Sequence, residues 1–110
     1  MTSPSKVKGD NAEREIAKLL SDLLGLPVRR KLGAGRFDDC GDLDGIPDTC
    51  AQVKNYRDVG RAIREAVDDL PTQVANAGAT HGVAFIRRPG GRWLAVMDVP
   101  TWATLIRETL

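Results

Sequence analysis

Residues 49–56, TCAQVKNY, carry the strongest strand signal in the first half of the chain. Ala51 and Val53 alternate with Gln52, Lys54 and Tyr56, so one side of the strand is apolar and the other polar. Three residues further on, VGRAIREAVDDL (59–70) changes to a helical period, with Val59, Ile63, Ala66, Val67 and Leu70 on one face. GVAFIRR (82–88) and RWLAVMDV (92–99) then return to strand character around Pro89-Gly90-Gly91, a hairpin signal. A strand that gives way to an amphipathic helix and then to further strands needs helices packed on a sheet. The fold class is therefore α/β.

The rest of the chain fits this frame. Residues 1–9 read as a loose polar arm. Asp10 or Asn11 caps a helix that begins near Ala12 and continues through Ile16, Leu19, Leu20 and Leu23 until Gly25 and Pro27 end it. VRRKL (28–32) reads as a short strand, GAGRFDDCG (33–41) as a glycine-rich loop, and DLDGI (42–46) as a second strand turning at Pro47-Asp48. Pro71 either breaks the 59–70 helix or opens a second helical piece reaching about Ala77. His81 falls in a turn, and residues 100–110 form a last helix with Pro100 near its start. The order is one helix, three strands, a helical region, two strands and a helix, in a single domain of 110 residues.

Composition narrows the function classes. The net charge is +1, so a uniformly basic surface is excluded and any nucleic-acid site must come from local clusters of Lys and Arg. Cys40, Cys50 and the single His81 match no familiar zinc spacing. No apolar stretch approaches a membrane span, and the reading is of a cytoplasmic protein with free thiols.

Charge is segregated around the 49–56 strand. Arg29, Arg30, Lys31 and Arg36 precede a run of Asp38, Asp39, Asp42, Asp44 and Asp48. Gln52 and Lys54 lie on one side of their strand, away from the face that Ala51 and Val53 give to the core. Asp42 on the preceding strand can sit beside them if the two strands pair. Glu13 borders the buried stripe of the first helix, at the edge where helix meets sheet. Convergence of Glu13, Asp42, Gln52 and Lys54 suits metal-assisted phosphodiester hydrolysis. Carboxylate, amide and carbonyl oxygens are hard ligands appropriate to Mg²⁺ or Mn²⁺, and a nearby Lys can orient water or offset transition-state charge. The bland readings are turn-forming Asp residues at 42, 44 and 48, an edge-strand Lys54, a structural Gln52 and a helix-dipole role for Glu13.

Asp42 followed by QVK (52–54), with nine residues between Asp42 and Gln52, resembles the signature of the PD-(D/E)xK nuclease superfamily. The N-terminal KGDNAERE (8–15) is similar to the start of archaeal-type Holliday junction resolvases, and the order of elements matches over nearly the whole chain. The resemblance implies a restriction-endonuclease-like α-β-β-β-α-β core and a divalent-metal-dependent endonuclease for branched DNA. Glu13, Asp42, Gln52 and Lys54 would be catalytic; Glu13, Asp42, Gln52 and the Val53 carbonyl would hold the metal. Arg14 maps onto a backbone-contacting Arg of that family, and Arg29, Arg30, Lys31, Arg36, Arg57 and Arg61 are the further DNA-contact candidates. Paired cuts in a four-way junction imply a C2 homodimer, to which Trp93 and Trp102 could contribute. Gln52 departs from the Glu usual in the family and carries no charge, so either metal binding is weaker or Glu13 and Asp44 compensate. The alternatives are a fork, flap or single-strand nuclease with the same site, and a DNA-binding scaffold without chemistry.

Overall fold

The computed structural model describes residues 3–31 and 39–110. Five strands form one mixed sheet in sequential order: β1 (Arg29–Arg30), β2 (Leu43–Asp44), β3 (Thr49–Lys54), β4 (His81–Arg87) and β5 (Trp93–Val96). Neighbours run antiparallel except β3 and β4, which are parallel and joined by helix α2 (Val59–Ala77). Helix α1 (Pro4–Leu24) precedes the sheet and α3 (Val99–Glu108) follows it. The α/β class and the full order of one helix, three strands, a helix, two strands and a helix are as read from the sequence.

Both faces of β3 are covered. Ala51 packs with Val83, Phe85 and Leu43 beneath Ile16 and Ala17 of α1. On the opposite face Ala84 and Ile86, the register partners of Gln52 and Lys54, pack beneath Ala62, Ala66 and Leu70 of α2. This corrects the expectation that only the Ala51–Val53 side is core. A parallel pair with a helical crossover is buried on both sides, so Gln52 is only 5% exposed. Polar residues in a strand of this kind face a helix and not water.

Three further expectations change. The first helix begins at Pro4 and not near Ala12, so residues 4–9 are helical and not a loose arm. Ser3 caps it, its side chain accepting from the Lys6 N–H at 3.2 Å, and Pro4 occupies the first helical turn, where its missing N–H costs nothing. Helix α2 runs unbroken through Pro71. Pro71 removes the bond that would reach the Val67 carbonyl, but both residues lie on the exposed side, where water can serve that carbonyl. Val67 is accordingly not part of the buried stripe. His81 opens β4 and is buried, its Nε2 3.0 Å from Glu108 of α3.

Helix α3 contributes no buried residue; Val99, Trp102 and Ile106 form an exposed apolar stripe along it. Among the described residues, no helix is long and apolar enough to cross a membrane.

One glycine fixes how β2 leaves the sheet. Gly45 has φ +103°, and a Cβ there would lie 2.5 Å from the Pro27 carbonyl oxygen. Gly45→Ala is expected to cost about 2–3 kcal/mol. The check is a lower urea midpoint at unchanged slope.

Candidate active site

The site is built at the C-terminal half of β3. Leu43 pairs with Ala51, which brings Asp42 alongside Gln52. The Asp42 backbone is held from both sides: its N–H donates to the Ala51 carbonyl at 2.7 Å and its carbonyl accepts from the Lys31 N–H at 2.8 Å. Its side chain turns back onto β3, where Oδ2 accepts from the Val53 N–H at 2.8 Å. Along a strand the carbonyl of a residue leaves on the same side as its N–H, so the Val53 carbonyl also faces the Asp42 edge.

The preceding segment is clamped. Gly41 has φ +97°, and a Cβ on it would come within 2.9 Å of both the Ala51 carbonyl oxygen and the Cys50 sulfur. Asp39 is gripped by α2: Gln73 Nε2 donates to Oδ2 at 2.5 Å and Asn76 Nδ2 to the backbone oxygen at 2.8 Å. On α2, Glu65, Asp69, Gln73 and Asn76 recur at helical spacing and form a polar stripe beside the apolar one. That periodicity is legible in the sequence, but it gains meaning only once Asp39 and Lys54 are seen opposite it.

Lys54 lies under the same stripe. Its Nζ donates to the Tyr56 hydroxyl at 3.1 Å and is 3.7 Å from Glu65 and 4.0 Å from Asp69. The Tyr56 hydroxyl donates to Glu65 at 2.6 Å. This bond, followed by that from Arg61, holds the Glu65 carboxyl below the usual range.

Electrostatics single out Asp42. Burial pushes its carboxyl up to about 6; the Val53 N–H opposes this, while Glu13 and Asp39 raise it further and Lys54 lowers it. Gln52 adds an unmet acceptor, since its Oε1 is buried without a hydrogen-bond partner. Burial also pushes the Cys50 thiol up to about 11, which leaves it a poor nucleophile. Both cysteines are free thiols, as expected.

The structure therefore brings Asp42, Gln52, Val53 and Lys54 together at one strand end. Glu13 lies within electrostatic reach of Asp42 but is bonded to Arg30 Nε at 3.0 Å. Among the described residues no three His, Cys, Asp or Glu side chains form a ready cation cluster. Asp44 is turned to Lys31, 3.5 Å away, and does not replace the missing charge at Gln52.

The basic candidates divide. Arg30 is held by Asp10 at 2.9 Å and by Glu13, and Lys31 by Asp44 and the Cys40 carbonyl. Arg14 contacts Asn11 at 3.3 Å. Arg29 is exposed. Arg57 and Arg61 line a concavity next to Val53, Arg61 also reaching Glu65 at 2.9 Å. Arg36 lies outside the described residues.

No protein-family model matches the chain, and neither the curated proteins nor the solved structures searched give a match.

The raised Asp42 value has a signed consequence for stability. The folded value of about 6 exceeds the ordinary 3.8. The fold thus favours the protonated acid, a contribution complete below about pH 4 and lost as pH rises through about 6. In chelator, Asp42→Asn is expected to be more stable than the parent by about 1–3 kcal/mol at pH 8, with the difference closing near pH 4. Urea unfolding at the two pH values measures it.

Proposed function

We propose that the chain is a divalent-metal-dependent DNA endonuclease of the PD-(D/E)xK type acting on branched DNA, with a Holliday junction resolvase as the favoured form. The observation that carries this reading is Asp42: a carboxylate with a raised pKa, fixed by the Val53 N–H, beside the unpartnered Gln52 oxygen and within electrostatic reach of Lys54. A desolvated cluster of carboxylate, amide and carbonyl oxygens fits a hard cation. Asp42, Gln52 Oε1 and the Val53 carbonyl would hold Mg²⁺ or Mn²⁺, with Glu13 acting on its water. When bound, such an ion polarises the phosphate and lowers the pKa of a water.

The chain's own residues do the rest. Lys54 is held by Tyr56 and Glu65 at the strand end, where its ammonium can orient the attacking water and offset charge growing on the phosphate. Asp42 must be ionised to hold a cation. Metal affinity is therefore expected to fall as pH drops below about 6, where protons compete for the same oxygen. Isothermal titration with Mn²⁺ across this range checks the sign.

A junction-cutting enzyme works as a C2 pair, and the exposed Val99–Trp102–Ile106 stripe offers a surface for a second copy. Trp93 is partly buried against the α1-side core and donates to Glu15 at 2.9 Å, so it serves packing. A second reading, a DNA-binding scaffold without chemistry, draws on the neutral Gln52 and on the engagement of Lys54 by three α2- and β3-side groups.

Cleavage separates the two. Labelled four-way junction, fork, single-stranded and linear duplex DNA are incubated with and without Mn²⁺. Symmetric paired cuts in the junction, abolished by chelator and reduced by about 10²–10³ in Lys54→Ala, are expected. Cuts mainly in forks or single strands would move the substrate and keep the site. Intact DNA in every metal, with binding preserved, would leave the scaffold. Gln52→Glu restores a charged ligand and is expected to raise Mn²⁺-dependent cleavage about tenfold, roughly 1.4 kcal/mol of barrier.

A further inference from the structure

Two adjoining concavities of about 540 and 620 Å³ lie between the first turns of α1 and the β3–α2 junction, sharing Lys8 and Asn55. Together they make one trough that passes Val53, next to the candidate active site. Lys8, Arg57 and Arg61 line the first part. Lys8 and Arg57 have no carboxylate partner among the described residues. Asp58 is committed to capping α2, accepting from the Arg61 N–H at 3.1 Å. At the far end Glu15 is taken up by Arg87 and by Trp93.

Gly9 forms part of the wall. It is inside α1, where glycine weakens a helix more than any residue but proline. Its backbone has no positive φ, and a Cβ added there would meet nothing within 4 Å. Neither chain packing nor backbone geometry calls for glycine at this position. A glycine with free space above it, next to an unpaired Lys and inside a groove, leaves room for the close approach of a ligand.

We propose that this trough seats the sugar-phosphate backbone of one nucleic-acid strand, running over Gly9 with Lys8 and Arg57 on its phosphates and Asn55 hydrogen-bonding it. The inference deepens the nuclease reading and rests on it for the identity of the polyanion. The trough is open, borders the site and presents exposed cations with amide donors, which fits a strand and its repeating charge. It assigns DNA-contact roles to residues that sequence reading placed in a loose arm.

The test measures stability and binding on the same proteins. Anisotropy of short labelled single-stranded and duplex oligonucleotides is recorded in chelator over a salt series for the parent, Gly9→Ala, Gly9→Leu and Lys8→Gln. Gly9→Ala is expected to raise Tm by about 2–5 °C. Gly9→Leu, whose side chain projects into the trough, is expected to keep the fold and weaken binding about tenfold. Lys8→Gln is expected to flatten the slope of log affinity against log salt by about one. Unchanged affinity in a folded Gly9→Leu overturns the proposal, even if the enzyme cuts DNA. Tighter binding of a poly-glutamate peptide than of oligonucleotide, or no oligonucleotide binding by the parent at low salt, overturns it too. Loss of binding in Gly9→Leu by a protein that never cleaves DNA supports the trough and removes the nuclease reading alone.

Discussion

The arrangement of the molecule depends on β3 being enclosed from two sides. A six-residue strand packed under α1 on one face and α2 on the other has no solvent face on which to place polar groups. Gln52 and Lys54 are nevertheless there, opposite Ala84 and Ile86. Buried polar groups are costly unless partnered. The neighbourhood responds to that cost. Lys54 is surrounded by Tyr56, Glu65 and Asp69. Gln52 is not matched: its oxygen, like Gln73 Oε1 and His81 Nδ1 elsewhere among the described residues, is buried without a hydrogen-bond partner.

The second constraint is the hold on Asp42. Its neighbours engage almost every group available between Asp39 and Asp42, from β3, from the Lys31 backbone and from α2. A carboxylate fixed this firmly near Glu13 and Asp39 cannot escape their repulsion by rotating away. Its pKa rises chiefly because burial strips water from the carboxyl, and the repulsion of Glu13 and Asp39 adds to the rise. The candidate chemistry and the local electrostatic frustration thus have a common origin in the packing of residues 39–42 between a strand and a helix.

Much of this was legible in the residues and part was not. Element order followed from period changes and from Gly-Pro punctuation, and the approach of Asp42 to QVK followed from pairing two adjacent strands. The α1 start was missed because Lys6, Lys8 and Gly9 give no apolar periodicity; the helix there starts from a Ser-Pro cap. The second buried face of β3 was missed because alternation alone cannot tell water from a covering helix. The grip of Gln73 and Asn76 on Asp39 joins residues more than thirty apart in the chain, information that no local pattern holds. The pairing of Arg30, a DNA-contact candidate, with Asp10 and Glu13 likewise joins residues far apart in the chain.

Helix α3 closes the account from another direction. None of its side chains enters the core, and its polar tie to the sheet is Glu108 on His81. Sequence drift along this helix is therefore nearly uncoupled from the interior. Such an appendage can be rewritten over evolutionary time while the strands that hold Asp42, Gln52 and Lys54 stay fixed.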